Sequence, residues 1–352
     1  MSKIGLLTYQ YTTNFGSLLQ AYGLYKTVRD LGYDCEVLDY HNETIDKREK
    51  PIRFKDCTAL KPLFRYVVRE GGKRKKERLF QKFLKKDMSL SEKLYTKHNI
   101  DDANSVYDTF LIGSDLVWDF SINNHDTAYL LDFATNGKKK IAYASSTGSV
   151  WSEKDEVTEL LNRFNSIGVR EKEIADTLTE WLGKKVDFVC DPTMLIDSYQ
   201  WKKLACKPLI KKPYVICYMF DEKKQIYKDA VAYGKKHNLP VYVISFSKAP
   251  EGIKKISPSS IGEFLSLILN ADTVFSASYH GMLFAMYFNK NFYYYNRGWK
   301  SRMKSIARLT NLENREHYTG ENEEPINYAY VNEQLKKFRQ DSIEKLKNYL
   351  KD

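Results

Sequence analysis

The start of the chain limits the possible folds more than any other segment, because a strand, a helix and a second strand follow one another there. Residues 4–9 (IGLLTY) form an apolar run typical of a buried strand, and residues 18–31 have the apolar spacing of a helix. Gly32 ends this helix, and a second apolar run follows at 35–40. Two strands joined through a helix make a β-α-β unit with parallel strands. The chain is therefore predicted to have an α/β fold.

The same alternation continues through the chain and starts again in its second half. Further runs with strand character lie at 107–112, 140–144, 166–169, 186–189, 214–219, 241–245, 271–275 and 291–295. Lysines and prolines gather around Trp201 to Pro213, where the alternation fails. We therefore predict two Rossmann-like domains, 1–205 and 212–330, facing each other across a cleft, and a closing helix at 331–352.

Residues 41–103 interrupt the alternation of strands and helices and are interpreted as an insertion in the first domain. A helix is predicted around Lys75 to Lys86, within a cluster of basic residues. The net charge of +11 suits an anionic partner: a phosphorylated metabolite, nucleic acid or an anionic membrane face. The cluster either contacts lipid or another polyanion, or is simply a solvated helix face. Without a recognised module or interleaved aromatic residues, no nucleic-acid partner is expected.

Composition excludes several classes of protein. A chain of 352 residues that is 43% hydrophobic can bury a sizeable core. Five cysteines without regular spacing argue against a disulfide framework and against a zinc site. The apolar run at the N-terminus, Ile4 to Leu7, is too short for a signal peptide, and no run approaches the ~18 apolar residues of a membrane span. A cytoplasmic location is expected, with at most peripheral membrane contact.

The turn from Ser276 to Gly281 joins the strand at 271–275 to an apolar helical stretch at 282–288. Ligands of open α/β sheets bind at such strand ends, and the N-terminus of a helix offers N–H groups to an anion. His280 can hold or give a proton near neutral pH. The alternative is an exposed loop that happens to contain a histidine.

Three further strand ends carry polar residues. Asn14, Gly16 and Ser17 lie in a turn without the GxGxxG fingerprint, and they either bind an anion or sugar hydroxyls or form an N-cap. Asp115 either orients a hydroxyl or a basic group, or bonds its own backbone in a turn. Arg170 either holds a carboxylate or phosphate, or forms an ion pair with a neighbouring Glu171 or Glu173.

Taken together, the motifs resemble a known family, the polysaccharide pyruvyl transferases. The matches, in family order, are Asn14–Gln20, Gly113–Trp118, Tyr143–Ser146, Val169–Lys172, Asp191–Thr193 with Trp201, Ser276–Gly281, and Arg302 upstream of Leu312–Arg315. They span most of the chain outside the insertion. The chain departs from the family pattern at Leu116, usually Gln, at Tyr279, usually Phe, and at Ala277, often acidic.

The resemblance implies a fold similar to that of two-domain GT-B glycosyltransferases, with the acceptor on the first domain and the donor on the second. It implies a transferase that moves pyruvate from phosphoenolpyruvate to a sugar of a cell-surface or extracellular glycan, or of its precursor. The product is a cyclic ketal, and phosphate is released. The acceptor is a sugar or glycan, free or lipid-linked, and exopolysaccharide or cell-wall synthesis is the expected context. No cofactor is expected beyond phosphoenolpyruvate as co-substrate.

The expected site residues fall into three groups. The catalytic residues are His280, as the proton carrier, and Arg170. The donor-binding residues are Ser278, Tyr279, Gly281 and Arg302. The acceptor-binding residues are Asn14, Gly16, Ser17, Gln20, Ser114 and Asp115. No metal is expected, because arginines and helix amides can neutralise the charge of the donor.

Two other functions stay open. One is a GT-B glycosyltransferase that uses a nucleotide sugar. Retaining enzymes of that kind carry a Glu near the positions of Ala285 and Met286, so this type is disfavoured and an inverting one is not. The other is a catalytically silent carbohydrate-binding or assembly protein.

Overall fold

The computed structural model describes residues 3–49, 60–148, 151–219, 224–296 and 301–351. The chain divides into two compact units, each built on its own parallel sheet. Unit 1 comprises Met1–Lys50, Phe80–Ile196 and Lys337–Asp352, and unit 2 comprises Pro51–Leu79 and Asp197–Lys336. The predicted α/β class is therefore confirmed.

Unit 1 contains a seven-stranded sheet in the order β3-β2-β1-β4-β5-β6-β7, with all neighbours parallel. Its strands are β1 (Lys3–Leu7), β2 (Asp34–Tyr40), β3 (Leu90–Tyr95), β4 (Thr109–Ile112), β5 (Lys139–Ser145), β6 (Ser166–Val169) and β7 (Asp187–Phe188). The chain adds strands on one side of β1 as far as β3 and then moves to β4 on the other side. The strand order thus reverses between β1 and β4, which is where ligands of open α/β sheets bind.

The helices associated with this part of the chain are α1 (Phe15–Asp30), α2 (Glu43–Glu49), α3 (Leu60–Asp87), α4 (Phe120–Asn123), α5 (Lys154–Asn162), α6 (Lys172–Leu182) and α7 (Pro192–Leu195). Helix α1 packs tightly on α7 through Gly23. A Cβ atom at Gly23 would lie 2.5 Å from the carbonyl oxygen of Pro192, closer than any real contact of this kind. This close approach fixes α1 against the segment that follows Asp191.

Unit 2 contains a five-stranded parallel sheet in the order β10-β9-β8-β11-β12. Its strands are β8 (Val215–Tyr218), β9 (Val241–Ile244), β10 (Lys254–Ile256), β11 (Thr273–Ser276) and β12 (Asn291–Tyr294). The helices after unit 1 are α8 (Ser198–Leu204), α9 (Gln225–Lys236), α10 (Ile261–Leu269), α11 (Tyr279–Tyr287), α12 (Ser301–Thr310) and α13 (Tyr328–Lys351). Here the order reverses between β8 and β11, so the turn after β11 lies at the switch point of this sheet.

The structure differs from the sequence prediction in three places. Strand β3 lies inside the segment interpreted as an insertion, and it pairs with β2 at the edge of the sheet. Its middle residues are exposed, so its sequence, LSEKLY, does not have the continuous apolar run of a buried strand. Helix α8 occupies 198–204, where we expected an irregular boundary, and the two units divide just before it, between Ile196 and Asp197.

Candidate active site

The turn between β1 and α1 is held in place from two sides. The Oδ1 atom of Asn14 accepts hydrogen bonds from the N–H groups of Gly16, at 2.9 Å, and Ser17, at 3.5 Å. The N–H of Thr13 donates to a carboxylate oxygen of Glu49 at 2.9 Å. Asn14 is thus an N-cap, as one of the two interpretations expected. It is exposed, so its cap role leaves part of the side chain accessible.

Three candidate residues from separate elements meet at the switch point of unit 1. The Ser17 hydroxyl donates to Oδ2 of Asp115 at 2.6 Å. The Arg170 guanidinium donates to Oδ1 of Asp115 at 3.2 Å and to Oδ2 of Asp191 at 2.8 Å. Asp191 also accepts from the N–H and the hydroxyl of Thr193, at 2.9 and 2.7 Å. The turns after β1, β4, β6 and β7 are therefore tied into one network.

Arg170 does not have the surroundings of an anion-binding arginine. Its side chain is fully buried, and a third carboxylate, Glu171, lies 4.0 Å from its Nε atom. The guanidinium donates to two of these carboxylates, so its hydrogen-bonding groups already serve partners within the protein. The ion-pair alternative fits best, with Asp115 and Asp191 as the main partners and Glu171 more distant. The arginine therefore positions Asp115, and we withdraw it as a direct ligand of the donor.

The backbone also fixes Asp115. Its φ of 70° lies in the left-handed region, which aspartate tolerates better than most residues. Its carbonyl accepts from the N–H of Ser146 at 3.0 Å, and it forms a parallel bridge with Ser145. The side chain retains 14% of its exposure, whereas those of Arg170 and Asp191 retain none. Asp115 is thus the part of the network that a ligand can reach.

Gln20 and Ser114 were expected to bind the acceptor, but both are fully buried. The N–H of Ser114 donates to Oε1 of Gln20 at 3.0 Å, and the Ser114 hydroxyl donates to the carbonyl of Ala144 at 2.7 Å. The amide of Gln20 donates to the carbonyl of Ser17 at 2.8 Å. These contacts brace the turns that carry Ser17 and Asp115, and we assign the two residues to that supporting role.

The second candidate turn, between β11 and α11, is compact. Ser278 is the N-cap of α11, and its hydroxyl accepts from the N–H of Gly281 at 3.5 Å. The N–H of Ser278 donates to the Ser276 hydroxyl at 3.1 Å. A Cβ atom at Gly281 would lie 2.2 Å from the Ser276 oxygen and 2.8 Å from the ring of Tyr218. Glycine is therefore required here for packing within the turn, which differs from the ligand access that we expected of it.

His280 and Tyr279 occupy the first turn of α11, and both are 5% exposed. Their rings meet edge to face, with centroids 5.6 Å apart. The guanidinium of Arg302 lies 5.5 Å from the centroid of the Tyr279 ring, within cation–π range. The structure thus brings together the four residues expected to bind the donor, which are Ser278, Tyr279, Gly281 and Arg302. No Asp or Glu occurs between Ser276 and Phe288.

A cavity of about 590 Å³ in unit 1 was not anticipated from the sequence. It lies beyond the ends of β2 and β3, and its lining includes His41 and Asp46. The His41 ring bonds Asp46 at 2.8 Å, contacts Asp39 at 3.2 Å, and stacks on Tyr11. Hydrogen bonds to Asp39 and Asp46 raise the pKa of His41 to about 9. This histidine is therefore a cation at neutral pH. In the sequence, only the position of His41 at a strand end could have indicated a site here.

Within the described ranges, no group of three or more His, Cys, Asp or Glu side chains is arranged to hold a metal ion. None of the helices in these ranges is both long and apolar enough to cross a bilayer.

The fold has relatives among solved structures. The UDP-GlcNAc 2-epimerase of Methanocaldococcus jannaschii, solved with UDP-GlcNAc and UDP, is 12% identical with a TM-score of 0.50, and the match covers 84% of this chain and 83% of that one. A putative UDP-N-acetylglucosamine 2-epimerase from Listeria monocytogenes is 11% identical with a TM-score of 0.51, over 98% and 90% of the two chains. With its two helix-flanked parallel sheets, the protein has a GT-B-like fold, as predicted.

Sequence comparison gives the family. The sequence model of the polysaccharide pyruvyl transferases matches residues 14–349, nearly the whole chain. The chain therefore belongs to the polysaccharide pyruvyl transferase family, and the resemblance seen in its motifs is confirmed. A search of curated protein sequences finds no match to it.

Proposed function

We propose that this protein transfers pyruvate from phosphoenolpyruvate to two hydroxyls of a sugar, forming a cyclic ketal and releasing phosphate. Family membership supports the class of transferase. The observation that carries the choice of donor is the β11–α11 turn, which starts a helix at a switch point and has no carboxylate from Ser276 to Phe288. A donor with about three negative charges requires such a site, since a phosphate alone carries nearly two.

The proposed chemistry assigns proton transfer to His280. A proton is added to the methylene carbon of phosphoenolpyruvate while a sugar hydroxyl oxygen bonds to the neighbouring carbon and loses its own proton. The bond from that carbon to the phosphate oxygen then breaks and phosphate leaves. The oxygen of a second hydroxyl bonds to the same carbon and closes the ring, and its proton leaves with the phosphate. An imidazole can supply and recover a proton near neutral pH, and it stands here in the first turn of α11.

We assign donor contacts to the same part of unit 2. The first turn of α11 favours a negative group because of the helix dipole. Arg302 adds a positive charge beside Tyr279, and its planar fork suits a carboxylate or a phosphate. The Ser278 hydroxyl, which accepts only a long bond from Gly281, retains a proton that it can donate.

Unit 1 is proposed to bind the sugar. Asp115 is paired with Arg170 and partly exposed, so its carboxylate oxygens can accept a hydrogen bond from a sugar hydroxyl. Asn14 and Ser17 lie in the neighbouring turn and offer further polar groups. Sugars of exopolysaccharide or cell-wall precursors, free or lipid-linked, are the proposed acceptors, and the cytoplasm is the proposed location.

The test is release of inorganic phosphate from phosphoenolpyruvate in the presence of hexoses, N-acetylhexosamines and glycans built from them. We expect release that depends on the acceptor and a gain of one carboxylate in the product. Omitting the acceptor is the control. If no acceptor elicits release while a nucleotide sugar is consumed, the proposal fails.

A nucleotide-sugar donor is the second candidate. The Methanocaldococcus jannaschii epimerase, whose fold this chain shares, was solved with UDP-GlcNAc and UDP. Thermal unfolding with phosphoenolpyruvate and with UDP, GDP or CMP sugars separates the two donors, because a ligand that binds only the native state raises the Tm. Binding of a glycan with no turnover of any donor would favour a silent carbohydrate-binding protein.

A further inference from the structure

From residue 72 to residue 87, where the structure describes its side chains, helix α3 has one exposed face made of basic residues. The exposed side chains on this basic face are Arg74, Lys75, Arg78, Lys82, Lys85 and Lys86. At about 100° per residue these six fall within an arc of about 120°. The two acidic residues of this stretch, Glu77 and Asp87, fall outside the arc. The sequence left open whether the cluster was a mixed, solvated surface, and the structure shows one sign of charge on one side of the helix.

The opposite side of α3 is buried, which fixes the direction of the basic face. Lys76, Phe80 and Leu84, spaced four residues apart, are at most 9% exposed. The ammonium of Lys76 lies 4.9 Å from the centroid of the Phe246 ring, and the Phe80 and Phe15 rings pack with centroids 5.1 Å apart. The helix therefore cannot turn its basic residues inward without losing these contacts.

Five of the six cations of the basic face, all but Arg74, are not neutralised by ion pairs with the described carboxylates. Among the residues that the structure describes, no carboxylate forms an ion pair with Lys75, Arg78, Lys82, Lys85 or Lys86. From residue 74 to residue 86 the face extends over about 18 Å, because each residue of a helix rises by about 1.5 Å. A row of uncompensated cations on a surface attracts an extended array of anions.

We propose that the basic face of α3 docks this protein on a membrane surface rich in anionic headgroups. A row of this length and charge matches the polybasic segments that associate with such surfaces. The face has no aromatic residue on which a base could stack, which argues against single-stranded nucleic acid. The nearest one, Phe83, packs against Tyr22 with ring centroids 5.2 Å apart. Contact would be peripheral and electrostatic, and the proposal holds whichever donor the enzyme uses.

The experiment measures co-sedimentation of the full chain with vesicles of phosphatidylcholine, with and without about one-third phosphatidylglycerol. We expect binding only to the anionic vesicles, and a decline as salt rises from about 50 to about 200 mM. The variant Arg78→Gln/Lys82→Gln/Lys85→Gln should lose about 100-fold in partition coefficient, since each cation contributes about fivefold. All three side chains are exposed, so its Tm should equal that of the wild type.

The matched control is Lys207→Gln/Lys211→Gln/Lys212→Gln, which removes three exposed lysines far along the chain. Both variants lower the net charge of +11 by three. If only the overall charge mattered, both would lose the same amount of vesicle binding. Retained binding by the control alone supports the basic face as the docking surface. Equal loss by both variants, equal binding to neutral vesicles, or salt-independent binding of the wild type overturns the proposal. Tighter, face-dependent binding to a homopolymeric RNA than to anionic vesicles also overturns it, in favour of nucleic acid.

Discussion

The two sheets place opposite chemistry at the same architectural position. At the switch point of unit 1, the structure describes three carboxylates beside Arg170, those of Asp115, Asp191 and Glu171. At the switch point of unit 2, the turn and its helix have no carboxylate, and Arg302 stands nearby. In the proposed reaction, the first site takes the hydroxyl groups of the acceptor and the second takes the anionic donor. A transferase whose acceptor is a polyol and whose donor is a phosphate ester requires both.

The two sites also differ in what their buried polar groups do. In unit 1 the charged groups are hydrogen-bonded to one another, so removing one partner leaves another charge buried without compensation. In unit 2 the turn is stabilised by packing around Gly281 and by bonds between Ser276 and Ser278. We therefore expect substitutions in the first site to reduce stability and substitutions in the second to reduce turnover.

The largest expected effect is the loss of stability in Asp191→Ala. The 2.8 Å bond from Arg170 to Asp191 is fully buried, and breaking such a pair costs about 3–5 kcal/mol in the free energy of unfolding. Asp191→Asn, which retains an oxygen acceptor, should lose about half as much. Urea unfolding of the three proteins measures this. A change below about 1 kcal/mol in Asp191→Ala would contradict the view that the network is structural.

The next effect is on activity. His280→Ala should lower turnover of phosphoenolpyruvate at least ~100-fold, or about 2.7 kcal/mol in the barrier, because proton transfer loses its carrier. Tyr279→Phe is the matched control, since it keeps the ring beside Arg302 and gives the residue usual in the family. It should retain activity. Phosphate release measures both, and near-normal turnover in His280→Ala would remove the imidazole from the mechanism.

The strand-end turns that carry both candidate sites could be predicted from the sequence, but the contacts within them could not. An apolar run followed by Ser276 to Gly281 is a local pattern, and local patterns predict a strand end and a helix start. The partners of Arg170 are 55 and 21 residues away, at Asp115 and Asp191. No spacing rule joins such residues, so the sequence offered Glu171 and Glu173 as the nearest partners instead.

The same reason explains why other features were missed. Strand β3 is recognisable only through its pairing with β2, since half of its residues are polar and do not alternate with the apolar ones. Ser114 follows the end of β4, and Gln20 lies in α1 close to the turn after β1, so both resembled ligand contacts. Their burial, which follows from the packing of α1, shows that they support the turns. Sequence thus identifies where a site lies more reliably than which of its polar residues remain accessible.

A third effect is the pH dependence of stability that His41 confers. The hydrogen bonds of His41 to Asp39 and Asp46 raise its pKa from 6.5 to about 9, so the protonated form stabilises the folded state. This stabilisation is fully present below about pH 6.5 and is lost as pH rises through about 9. His41→Gln should therefore cost about 2 kcal/mol near pH 6 and little near pH 10, since the ring is partly exposed. Urea unfolding at several pH values measures it, and a loss independent of pH would contradict this origin.

The smallest expected effects are those of the two helix caps, and they test whether each turn binds its own substrate. Asn14 accepts a 2.9 Å bond at the start of α1, whereas Ser278 accepts one of 3.5 Å at the start of α11. Asn14→Ala should therefore cost about 1 kcal/mol of stability and Ser278→Ala less than about 0.5 kcal/mol. In kinetics, Ser278→Ala should raise the KM for phosphoenolpyruvate and leave the KM for the sugar unchanged. Asn14→Ala should raise the KM for the sugar and leave the KM for phosphoenolpyruvate unchanged. Each variant serves as the control for the other. If both variants raised the same KM, the two turns would not divide donor and acceptor between them, and the opposite charge of the two sites would need another explanation.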